Sequence, residues 1–134
     1  MDLKKNKKNF SLFYLPANYL KIKGIRYTIF MSKIEQLEVF LKSNPKDPLL
    51  RHALALEKIK AGQDADARVI FESLLQDQPG YVGNYYHLAK LLERQGESTL
   101  AVNWYTKGME IAKTANDQHA FNELQMAYED LIDN

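Results

Sequence analysis

From residue 32 to the end of the chain, apolar side chains return every three or four positions, and nowhere do they alternate as in a strand. That spacing predicts six amphipathic helices. The first opens at "SKIE": Ser32 caps it, Glu35 completes a capping box, and Ile34, Leu37 and Leu41 form one stripe. "SNPKDP" ends it. Asp47 then caps a second helix over residues 48–61, with Pro48 in the first turn, where its missing N–H costs nothing. Gly62 supplies the left-handed residue that closes it. A third helix starts at Asp64 with the stripe Ala67, Ile70, Phe71, Leu74 and Leu75, and breaks at Pro79 and Gly80. The fourth, near 82–95, carries Tyr85, Leu88, Ala89 and Leu92 and stops at Gly96. Ser98 is expected to cap the fifth, with Ala101, Trp104, Tyr105, Gly108 and Ala112 inward. After "TAND" a sixth helix lines up Ala120, Leu124, Ala127, Tyr128 and Leu131.

Short turns between helices of this length make helical hairpins, and such an array invites a test for internal repeats. A shift of 34 residues lays Leu54–Ala55 on Leu88–Ala89, Gly62 on Gly96, Ala67 on Ala101 and Phe71 on Tyr105. Each match has a packing reason. The small residues Ala55, Ala67, Ala89 and Ala101 let two helices cross closely, and a larger side chain would force them apart. The glycines close each first helix, and the aromatics fill the wedge between hairpins. The same shift sets Pro45 under Pro79, so the first helix behaves as a trailing half-repeat.

The period and the residues "YYHLAKLLERQGE", Ala101 and Tyr105 resemble the tetratricopeptide repeat, a 34-residue unit of two antiparallel helices. "GMEIAKTANDQHAFNELQMAYEDL" also looks like the C-terminal end of small bacterial proteins of that family. The resemblance covers residues 31–134: a half repeat (31–47), two full repeats (48–81 and 82–115) and a C-terminal capping helix (116–132). It implies an all-α fold, a right-handed superhelix of antiparallel hairpins. The departures are Gly108 where the family has Ala, Lys113 where it has Pro, Arg51 where a large apolar residue is usual, and Lys58 against Leu92. The long stems of Arg51 and Lys58 are expected to lie along the surface with their charges in water.

In a solenoid the first helices of successive hairpins line a concave surface, which suits an extended peptide or a helix of another protein. The residues expected there are Leu49, His52, Leu56 and Lys60 from the first full repeat, and Tyr86, Lys90 and Arg94 from the second. The last helix is expected to add Asp117, Leu124 and Tyr128. Trp104 is expected to pack between hairpins. Some members of the family grip a chaperone's C-terminal carboxylate through Lys, Asn and Arg. The matching positions here are His52, Leu56, His87, Asp117 and Phe121, which lack those cations, so that ligand class is not expected.

Composition narrows the picture. A chain of 134 residues, 46% of them hydrophobic, is one domain's worth and can bury a core. The absence of cysteine removes disulfides, thiolate metal sites and a Cys nucleophile. Residues 1–30 carry seven basic residues against Asp2, a net +6, whereas the eleven basic and sixteen acidic residues of 31–134 give a net −5. An acidic body argues against a nucleic-acid partner, which needs clustered Lys and Arg. No apolar run reaches the ~18 residues of a membrane span, so a cytoplasmic protein is expected. Residues 1–30 share neither the repeat nor the stripe. They read first as sequence upstream of a natural start at Met31; a basic, aromatic membrane-surface contact or a cover for the solenoid's end are the alternatives.

Candidate chemistry is sparse. His52, His87 and His119 fall one on each successive first helix. Three imidazoles can hold a catalytic zinc, but neighbouring helix axes stand ~8–10 Å apart, while zinc needs each nitrogen at ~2 Å. Their offsets of 35 and 32 residues are expected to turn them in different directions. With no nucleophile turn or phosphate loop, no enzyme activity and no cofactor are expected. The expected function is a non-catalytic adaptor that holds a protein or peptide partner. The alternative is a subunit that self-associates, as a homodimer or longer array, through its terminal helices.

Overall fold

The computed structural model describes residues 31–134. It contains six helices and no strand among the described residues: α1 (Lys33–Ser43), α2 (Pro48–Lys60), α3 (Asp64–Asp77), α4 (Gly83–Arg94), α5 (Ser98–Thr114) and α6 (Gln118–Ile132). The expectations for residues 1–30 lie outside the described residues. None of these helices is long and apolar enough to cross a membrane.

The helix ends follow their local chemistry. Ser32 and Glu35 form the capping box, each backbone N–H donating to the other's side chain. Asp47 and Asp117 accept from the amides of Leu50 and Ala120 at 2.9 and 3.0 Å, capping α2 and α6. Three helices end in one motif: Gly62, Gly96 and Asn116 take φ of 75°, 78° and 54°. The next amide then donates back to Lys58, Leu92 and Ala112 at 2.8, 2.9 and 2.9 Å. At α5 the expected Ser98 cap gives way to Glu97, with no side-chain cap bond; Ser98 is the first residue inside the helix. The Glu97 carboxylate is drawn instead to Arg68, 2.5 Å away on α3.

The hairpins α2–α3 and α4–α5 stack through α3 against α4, and α6 closes the array on α5 and α4. The core is centred on α4, which buries Asn84, Tyr85, Leu88, Ala89, Leu91 and Leu92. Ala55, Ala67, Ala89 and Ala101 have no exposed surface, as close helix crossings require. Gly108 marks a closer approach still. A Cβ there would stand 2.6 Å from the Tyr85 Cβ and 3.1 Å from both Leu124 methyls. The family's alanine does not fit at this position because Tyr85 and Leu124 already fill its space.

Two charges expected in water are instead held by partners. Arg51 reaches from α2 to α3, donating to Asp77 and to Ser73 Oγ at 2.7 Å each. Lys58 lies between Glu38, at 3.6 Å, and Asp66, at 3.4 Å. Ionic bridges thus hold the first hairpin where apolar burial holds the second.

The last helix departs from the 34-residue register. The period puts Leu124 level with Lys90 and facing the groove, yet Leu124 is buried in the core like Leu88, 36 residues earlier. Ala127 likewise repeats the burial of Leu91. The cause lies in α5. Where Pro79 stands after α3, α5 has Lys113, so the helix runs on to Thr114 and delays α6.

Candidate binding groove

Helices α2, α4 and α6 are the first helices of their units, and α3 and α5 back them. On α2, Leu49 is 66% exposed, Leu56 is half-buried against the core, and Lys60 is exposed with its ammonium on Glu57 at 2.7 Å. His52 does not stand apart from His87, as the helix-axis spacing led us to expect. The ring centroids lie 5.2 Å apart, edge to face. Both rings reach across the gap between α2 and α4 and meet in a cluster with Phe71 and Tyr81. His119 remains exposed on α6. Among the described residues no group of three or more His, Cys, Asp or Glu side chains is placed to hold a metal ion.

Burial, and then the neighbouring His52, lower the His87 pKa from 6.5 to about 4, so this imidazole is neutral at pH 7. His52 Nδ1 donates to Asn84 Oδ1 at 2.5 Å. Asn84 is the one buried polar side chain among the described residues, and its Nδ2 has no partner there. Sequence reasoning passed over it. Its signal was its place four residues before Leu88 and seven before Leu91, on the buried stripe of α4.

On α4, Tyr86 is half-buried between His87, at 5.4 Å, and Tyr105, at 6.5 Å. Lys90 lies 3.3 Å from Glu93, which also accepts the Tyr105 hydroxyl. Burial, the Glu93 bond and the charges of Glu93 and Asp130 raise the Tyr105 pKa. Arg94 reaches Asp64 at 3.2 Å. Each cation expected to line the groove therefore already has a carboxylate of its own chain.

On α6 the expected groove residues divide. Leu124 is withdrawn into the core, Tyr128 is half-buried against it, and Asp117 caps the helix. In the shifted register Met126 takes the place of Lys90, and it is 66% exposed. Trp104 is half-buried against the core, its ring 5.9 Å from Tyr85 of the same hairpin.

No family model matches the chain, and no curated protein does. Solved structures do. A tetratricopeptide repeat domain protein from Salinibacter ruber, in a crystal structure, is 40% identical with a TM-score of 0.62; the match covers 63% of this chain and 94% of that one. The chain belongs to the tetratricopeptide repeat family. A solution structure of a tetratricopeptide repeat domain protein from the same organism agrees, at 40% identity and a TM-score of 0.63, covering 65% of this chain and 88% of that one. A Bordetella parapertussis protein is 26% identical with a TM-score of 0.69, over 77% of this chain and 90% of its own.

The tetratricopeptide frame makes the chain an all-α solenoid with the general architecture of a protein-interaction repeat. It also explains the half-buried residues on one side of α2 and α4: these tetratricopeptide helices stack side by side and share one face.

Proposed function

We propose that this tetratricopeptide protein is a non-catalytic cytoplasmic adaptor that holds a peptide or helix of a partner protein against α2, α4 and α6. Leu49, His52, Leu56 and Lys60 form one wall, and Tyr86, Lys90 and Arg94 form the centre. Tyr128 and Met126 form the far side, Met126 standing where Leu124 was expected. The observation that carries the reading is Tyr86. It is an aromatic side chain left half-buried in the middle of the array, edge-to-face with His87 and tilted against Tyr105. Central aromatic positions commonly dominate binding, and loss of such an anchor typically costs ~2 kcal/mol or more.

Tyr86→Ala with Lys90→Ala is expected to abolish capture of the partner in a pull-down from the native cell while helicity and Tm stay nearly unchanged. Glu72→Ala with Lys107→Ala, on the backing helices, is expected to leave capture intact. Loss of capture by the second pair and not the first would move the partner to the other side.

A second reading is self-association through the terminal helices. Phe40 on α1 is 51% exposed and Ile132 on α6 is 53% exposed, which leaves apolar side chains on both terminal helices. Light scattering on the purified chain separates the two readings, since a stable dimer or filament supports the second.

A further inference from the structure

On the backing side, α3 and α5 leave a cleft of about 330 Å³ between them, the size of a small-ligand site. Its apolar lining comes from both hairpins. Leu75 of α3 and Tyr85 of α4 are buried, Trp104 of α5 is half-buried, and Pro79 is exposed. The Tyr85 hydroxyl already donates to the Pro79 carbonyl, so the tyrosine brings its ring to the cleft rather than a spare proton.

The polar groups of the cleft are Glu72, Gln76 and Lys107. Glu72 is occupied, since it accepts from Arg68 at 2.8 Å. Lys107 differs from the cations of the groove. Lys60, Lys90 and Arg94 each have a carboxylate of their own chain, whereas no ion pair among the described residues reaches Lys107. Its ammonium stands over the Trp104 ring, 5.9 Å from the centroid, which keeps the charge beside the aromatic wall. An uncompensated cation thus borders an apolar cleft, where water screens its field less than on an open surface.

We propose that this cleft binds a small aromatic carboxylate. The ring lies against Leu75, Pro79 and Trp104, and the carboxylate meets the Lys107 ammonium. A ring gains offset or edge-to-face contact with Trp104 that an aliphatic acid forgoes. An aromatic amine would bring like charge to Lys107. The cleft lies between the helices that back the groove, so this reading and the adaptor reading stand or fall separately.

Trp104 is the only tryptophan of the chain, so its indole N–H gives a single resonance in a proton–nitrogen correlation spectrum. Titrating the full chain with phenylpropanoate is expected to move that resonance to saturation, with a Kd on the order of 1 mM for so small a probe. Phenylpropylamine, which reverses the charge, and butanoate, which lacks the ring, are expected not to saturate in the same range. Lys107→Gln should weaken phenylpropanoate ~3–5-fold, with circular dichroism and Tm unchanged. Lys107→Glu should turn the preference to the amine. No saturation by phenylpropanoate, an equal response to the amine or to butanoate, or no effect of Lys107→Gln overturns the proposal. If Lys107→Gln instead abolishes capture of the partner protein, the cleft holds a side chain of that partner. The small-ligand reading then falls, while Tyr86→Ala still tests the groove.

Discussion

The two full repeats solve one packing problem with different chemistry. At matching positions 34 residues apart, the first hairpin has Arg51 and Lys58 and the second has Tyr85 and Leu92. Arg51 ties α2 to α3 through Asp77 and Ser73. Tyr85 instead is buried, packs with its ring tilted against Trp104 and donates its hydroxyl to the Pro79 carbonyl at 2.7 Å. Leu74 in the first hairpin answers to Gly108 in the second, where Tyr85 and Leu124 occupy the space. The repeat geometry tolerates the exchange because the small residues at the crossings and the glycine turns are kept in both copies. The side chains between them then need only fill the volume or satisfy their charges.

The largest break in this comparison is expected at Tyr85. Tyr85→Ala removes a buried ring and its hydrogen bond and should cost ~3–5 kcal/mol, read as the urea midpoint of unfolding. An effect below ~1 kcal/mol would show that the second hairpin does not depend on burial.

The aromatic cluster joining the two hairpins is expected to respond to acid. The His87 pKa is about 4 in the folded chain against 6.5 unfolded, so the unfolded chain binds the extra proton between those values. The stabilising effect of a neutral His87 is full above pH 6.5 and is lost as pH falls toward 4, by an amount on the order of 3 kcal/mol. His87→Phe should flatten this limb of a Tm-against-pH curve. A wild-type curve that stays level from pH 7 to 4 would refute it.

Gly108→Ala comes next, at ~1–3 kcal/mol from overpacking against Tyr85 and Leu124. Adding Leu124→Ala should cancel part of that cost in a double-mutant cycle, and simple additivity would count against the close approach.

The smallest effect is expected in the ionic hairpin. Asp77 is 47% exposed, so its pair with Arg51 is screened by solvent. Arg51→Ala should cost ~1 kcal/mol, less in high salt. A loss as large as that of Tyr85→Ala would mean the two hairpins are held alike.

What the sequence determined by itself was everything whose cause lies within about one turn of helix or recurs at the repeat. The capping box at Ser32, the cap at Asp47, the closing glycines and the buried alanines all read directly from residue order, whereas Asp117, expected in the groove, caps α6 instead. Tertiary structure alone decided the rest. The place of Leu124 depends on where α5 ends. Without a proline after it the helix runs on to Thr114 and closes at Asn116, and the side on which Leu124 then lands is decided by its packing against Tyr85 and Gly108. The meeting of His52 with His87, and the burial of Asn84 beneath them, depend on how far side chains reach across neighbouring helices. The pairing of Arg94 with Asp64, 30 residues away, depends on how the hairpins stack. These contacts join residues that one helix's pattern cannot relate, because helical periodicity fixes the direction a side chain takes and not what it meets there.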